Sequence, residues 1–125
     1  MTTGTFFEDL SVGQTASLAK TITEADILIY SAVSMDTNPV HLDAEAAKQS
    51  MFGERIAHGM LSAGLISAVL GTRLPGPGTV YLRQSLRFAA PVKIGDTVQA
   101  TVEVTELNAA RKRVIAAGGV EKDTT

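Results

Sequence analysis

A chain of 125 residues, 45% hydrophobic and 19% charged, is long enough to bury one core, and a single domain over 1–125 is expected. A net charge of −2 without a basic block argues against nucleic acid as a partner, and the absence of cysteine excludes disulfides, thiolate metal ligands and a thiolate nucleophile. The N-terminal residues show no basic region followed by an apolar one, and the apolar run Met60–Leu70 is broken by Ser and Gly and too short for a bilayer; a cytoplasmic protein with no membrane partner is expected.

In chain order, residues 6–13 read as a loop or short strand ending at Gly13, and Thr15–Thr21 as a first strand. Thr23 and Asp26 form a capping box ahead of a helix with Ile27, Tyr30, Ala32 and Val33 on its apolar side. That helix must end before Asn38-Pro39, because Pro cannot continue it and pushes the preceding residue to extended backbone. Residues 34–41 read Ser-Met-Asp-Thr-Asn-Pro-Val-His. They admit two readings. One is an ordinary turn, with Asp36 and Asn38 bonding nearby backbone and His41 capping the next helix. The other is a carboxylate and an imidazole aimed at one water, which is a proton-transfer pair.

Beyond the turn, Asp43–Ser50 is a short Ala-rich helix with Gly53 past its end. Residues 57–70 carry no charge and read as a helix buried on every side. Pro75-Gly-Pro-Gly78 is a turn. Val80, Leu82, Gln84, Leu86 and Phe88 then alternate with Tyr81, Arg83, Ser85 and Arg87, giving a strand near 79–90. A turn from Pro91 to Gly95-Asp96 leads to Val98, Ala100, Val102 and Val104, a second strand near 96–107. The two strands are expected to pair antiparallel. The architecture is α+β, an antiparallel sheet wrapped round a long central helix.

The Asp-x-Asn-Pro-x-His element at 36–41 resembles the signature of the MaoC-like (R)-specific enoyl-CoA hydratases, which have the hot-dog fold. Ile56-Ala-His-Gly-Met60, Leu74-Pro-Gly-Pro-Gly-Thr-Val-Tyr-Leu82 and Gln84-Ser-Leu-Arg-Phe88 leading into Pro91 and Gly95-Asp96 match the same family. The resemblance covers residues 6 to 113. Two departures stand out. The family commonly has Gly where Met35 stands, and Met35 is expected in an ordinary conformation on a pocket wall. After Arg113 the family continues through further strands, whereas residues 116–125 read as a short polar tail. The sheet is therefore expected to lack its C-terminal strands, or a partner subunit covers the gap.

The resemblance implies reversible hydration of a trans-2-enoyl-CoA to an (R)-3-hydroxyacyl-CoA, with acyl-CoA as the small-molecule partner, a homodimeric assembly and no separate cofactor. It casts Asp36 and His41 as the pair that activates water, without deciding which takes the proton. Asn38 orients the turn or the water. Gly59 offers a backbone N–H to the enolate oxygen. Ser67 supports Asp36.

Each role has a plainer counterpart. Gly59 can serve close packing alone. Ser67 can bond the carbonyl four residues back. His58 caps or packs. Arg83 and Arg87 fit a solvated face better than CoA phosphates. Asp36, His41 and His58 lack a compact metal-ligand spacing, so no metal is expected. An acyl-CoA thioesterase on this fold would need a carboxylate from the long helix, and residues 57–70 contain none. A non-catalytic acyl-CoA-binding module and a structural dimerisation domain are the remaining alternatives.

Overall fold

The computed structural model describes residues 6–80, 82–85 and 90–122. A 3₁₀ turn over Phe7–Asp9 precedes β1, Thr15–Thr21. Helix α1 spans Glu24–Ser34, and both reciprocal bonds of the Thr23/Asp26 capping box are present. Two short helices follow, α2 over Pro39–Leu42 and α3 over Ala44–Lys48. The Asp43 carboxylate caps α3 by accepting from the Glu45 and Ala46 N–H groups. The long helix α4 runs Gly59–Thr72, two residues later than expected at each end. Strands β2, Thr97–Asn108, and β3, Arg113–Lys122, complete the chain.

The sheet has the order β1-β2-β3, antiparallel throughout. Strand β2 is its spine. Val98, Ala100, Val102 and Val104 are all buried and their neighbours face outward, as the period-two pattern requires. Helix α4 lies on this face. Val69 packs with Ala100 and Val102, joined by Leu65, Ile66 and Leu70. Leu61 and Leu65 reach a second cluster of Ile22, Ile27, Ala57 and Val98.

The structure corrects three expectations. Described residues 79, 80, 82–85 and 90 form no strand; Tyr81 and residues 86–89, including Arg87, lie outside the described residues. The expected pairing of 79–90 with 96–107 has no room, because β1 occupies one edge of β2 and β3 the other.

The second correction concerns the tail, which contributes a strand. Arg113–Lys122 pairs along β2, with a register shift between Val104 and Glu106. Its Ala-Ala-Gly-Gly centre has little strand propensity, and backbone pairing supplies what the side chains do not. Gly118 has a packing reason. A Cβ there would stand 3.2 Å from the Thr101 carbonyl oxygen and 3.3 Å from Ile66 Cγ2 on α4. The bare backbone lets helix and sheet approach.

The third concerns α4, which is not enclosed. Ala63 and Val69 are buried, but Gly59, Met60, Gly64 and Ser67 are exposed. A three-stranded sheet covers only one side of a helix. Small side chains along the open side leave a groove where a fully wrapped helix would have contacts.

Candidate active site

The turn after α1 is built by local bonds from short polar side chains. Met35 ends the helix at φ 66° and ψ 11°. The left-handed conformation costs a side-chain-bearing residue about 1–2 kcal/mol, which explains why glycine suits the position. The expectation of ordinary backbone at Met35 is therefore overturned. Met35 is 84% exposed. The Asp36 N–H donates to Ser34 Oγ at 3.1 Å, and the Asn38 N–H donates to Asp36 Oδ1 at 3.2 Å. Asn38 caps α2 by accepting from the Val40 N–H at 3.2 Å, with Pro39 as the first helical residue. Asn38 thus shapes the turn.

His41 follows on α2 and is buried. Its Nδ1 lies 2.8 Å from the Ile56 carbonyl oxygen. A carbonyl only accepts, so Nδ1 carries the proton and Nε2 is left as a bare lone pair. Arg55 holds this element in place. Its Nε donates to the His41 carbonyl at 2.8 Å, and Nη1 pairs with Glu24 of α1 at 2.7 Å.

His58 sits at the N-cap of α4, 2% exposed, and its side chain makes no capping bond. Its ring stacks on His41, centroids 3.8 Å apart and planes 27° apart, and meets Tyr30 at 4.7 Å. Nε2 lies 3.0 Å from the Asp36 carbonyl oxygen and 3.0 Å from Ser31 Oγ. The expectation that His58 packs holds; its polar bonds are additional.

Asp36, His41 and His58 each offer a ligand atom, all within 4.8 Å of one another. The same closeness puts the exposed Asp36 carboxylate and the His41 ring within reach of one bridging water.

Gly59 directly follows His58 and opens α4. Its N–H has no partner among the described residues, as the first turn of a helix requires, and points from the positive end of the helix dipole. Ser67 is not joined to this cluster. It lies eight residues further along α4, about 12 Å by helical rise, and no hydrogen bond links it to Asp36. It lines a cavity of about 410 Å³ with Met60, Ala63, Gly64, Leu82, Arg83 and Gln84.

The sequence reading missed Ser31, Tyr30 and Arg55. A signal existed for the His58 network: His58 is the sole titratable residue in the stretch 56–72, placed directly before Gly59. Among the described residues no helix is long and apolar enough to cross a membrane.

A family profile described as a MaoC like domain matches residues 10–125. An (R)-specific enoyl-CoA hydratase of Rhodospirillum rubrum is 62% identical over 109 residues, covering 87% of this chain and 76% of that protein. A 3-hydroxybutyryl-CoA dehydratase of Methylorubrum extorquens is 55% identical, covering 86% and 69%. Among solved structures, an (R)-hydratase from A. caviae involved in PHA biosynthesis superposes with a TM-score of 0.89 at 43% identity, covering 92% of this chain and 87% of that one. The hot-dog fold of these hydratases, its α4 against an antiparallel sheet, is the fold of this chain. The chain belongs to the MaoC-like domain family.

Proposed function

We propose that this protein hydrates trans-2-enoyl-CoA thioesters reversibly to (R)-3-hydroxyacyl-CoA. One observation carries the reading: ligand atoms of Asp36 and His41 lie within 4.8 Å of one another, one water's reach, and His58, which completes the cluster, directly precedes Gly59 at the N-terminus of α4. Both side-chain atoms are acceptors. A water between them donates one hydrogen to each, which fixes its oxygen on one face of the substrate. One acceptor takes a proton as the water oxygen bonds to Cβ. The alkene electron pair moves toward the thioester, and the oxygen charge that develops is met by the Gly59 N–H. A proton returned to Cα completes the addition, so nothing is oxidised or reduced. The acyl chain runs along the open side of α4 into the cavity lined by Gly64 and Ser67. A second subunit over that side of α4, giving a homodimer, fits the groove the three-stranded sheet leaves.

The test is loss of the enoyl thioester absorbance on mixing with crotonyl-CoA, followed by chiral analysis of the product. Hydration giving the (R) isomer is expected. No absorbance change, or the (S) isomer, rules the proposal out.

A further inference from the structure

The buried imidazole of His58 has no part in the chemistry just described, yet it touches every part of it. Its Nε2 reaches the main chain of Asp36, its ring face covers His41, and its own backbone precedes Gly59. Two plain explanations fail. Helix capping fails because the side chain makes no capping bond. Core filling, though His58 does pack, does not account for a histidine rather than an apolar ring. His58 Nδ1 is buried with no hydrogen-bond partner among the described residues, and a buried unpaired nitrogen costs about 1–3 kcal/mol. An apolar ring of similar shape would fill the space without that cost.

From this geometry we infer that His58 is a positioning residue for the hydration reaction. Its Nε2–H, donated to the Asp36 carbonyl, fixes the turn that aims the Asp36 carboxylate, while its ring face only packs against the His41 imidazole. The inference rests on the proposed hydratase activity for its kinetic readout only. The Asp36 carbonyl accepts but cannot donate, so Nε2 carries the proton, and Ser31 Oγ accepts from it as well. Each histidine thus has its tautomer set by a main-chain carbonyl: Ile56 for His41, Asp36 for His58. Met35 makes the restraint necessary. A turn entered through strained left-handed backbone at an exposed methionine has little packing to hold it. Among the described residues, the bond from the protein interior to the Asp36 main chain is the one His58 supplies.

Two substitutions separate the ring from the donor. His58→Phe keeps the stacking face and removes the N–H. His58→Gln removes the ring and keeps an N–H that reaches as far as Nε2. For His58→Phe, kcat on crotonyl-CoA should fall about 10- to 100-fold, the loss typical of slight misplacement of a catalytic group. KM should stay within about threefold, and thermal stability should stay level or fall, because the relief of the unpaired nitrogen is offset by the partner that buried Ser31 Oγ and the Asp36 carbonyl lose. For His58→Gln, kcat should recover to within about fivefold of wild type. Long-range ¹H–¹⁵N correlation of the wild-type imidazoles should show His58 protonated on Nε2 and His41 on Nδ1. Wild-type kcat in His58→Phe overturns the inference, as does an equal loss in both variants or a His58 ring protonated on Nδ1. If His58→Phe does not fold, the His58→Gln rate and the tautomers still decide. A wild-type protein inert toward crotonyl-CoA would instead defeat the proposed activity. The tautomers, together with changed Asn38 and Val40 amide signals in His58→Phe, would then judge the positioning claim alone; unchanged signals overturn it.

Discussion

Residues 34–58 and the open side of α4 are held by opposite means. In the first region nearly every backbone turn is fixed by a neighbouring polar side chain: Ser34, Asp36, Asn38 and Asp43 each accept an N–H from two or three residues away. The second region is defined by what is small. Gly64, Ala63 and Ser67 leave space beside a segment, 82–85, that lies outside the three strands. The contrast separates two tasks. Chemistry needs atoms held to fractions of an ångström, whereas chain binding needs volume.

The largest effects should come from the rigid region. Asp36→Asn and His41→Ala should each lower hydration by about two to four orders of magnitude, the range for positioned acid–base groups. The double variant should be little worse than either single one, because both groups act on one water. Stopped-flow absorbance on crotonyl-CoA checks this, and additive losses would show that the two do not share a step.

Packing of α4 on the sheet comes next. Gly118→Val should cost about 1–3 kcal/mol through overpacking, since its side chain would meet Ile66 and the Thr101 carbonyl. Gly119 has nothing within 4 Å of a Cβ position, so Gly119→Val should stay within about 0.5 kcal/mol. Urea denaturation of the pair measures the difference. Equal values would mean that the helix and β3 are not in contact.

In the open region, Gly64→Phe should spare crotonyl-CoA and lower kcat/KM for an eight-carbon enoyl-CoA about tenfold or more by filling the cavity. Equal losses for both chain lengths would place the acyl chain elsewhere.

The smallest effect is electrostatic. Asp96 directly precedes β2; the Lys93 N–H donated to its carboxylate at 2.9 Å is the main reason its pKa lies below the ordinary 3.8, with partial burial opposing and Lys122 at 3.2 Å assisting. A carboxyl whose folded pKa is depressed stabilises above its unfolded pKa and loses that contribution as pH falls through the folded value. Asp96→Asn should therefore cost about 0.5–1 kcal/mol at neutral pH, and the gap from wild type should close in acid. A gap that persists well below the folded pKa would point to hydrogen bonding rather than charge.

Legibility in the sequence follows the same division. The capping box at Thr23, the Asn38-Pro39 turn and the alternation of Val98 to Val104 are local signals, and the structure realises all three. Strand β3 was illegible because its Ala and Gly residues take their conformation from β2, many residues away. The exposure of α4 was illegible for a related reason. An uncharged helix reports that it avoids charge, not how many neighbours cover it. Of the site, Asp36, His41 and Asn38 were readable because they crowd one octapeptide. The joining of His58 to Asp36 and His41 is a tertiary event that spacing alone cannot show.

The bond from His41 to the Ile56 carbonyl bears on mutational tolerance. Every amino acid brings the same carbonyl, so no codon change at position 56 removes the acceptor that leaves Nε2 bare. Drift at that site is limited by the size its buried side chain can take, while the proton address on His41 passes unchanged through each replacement that fits.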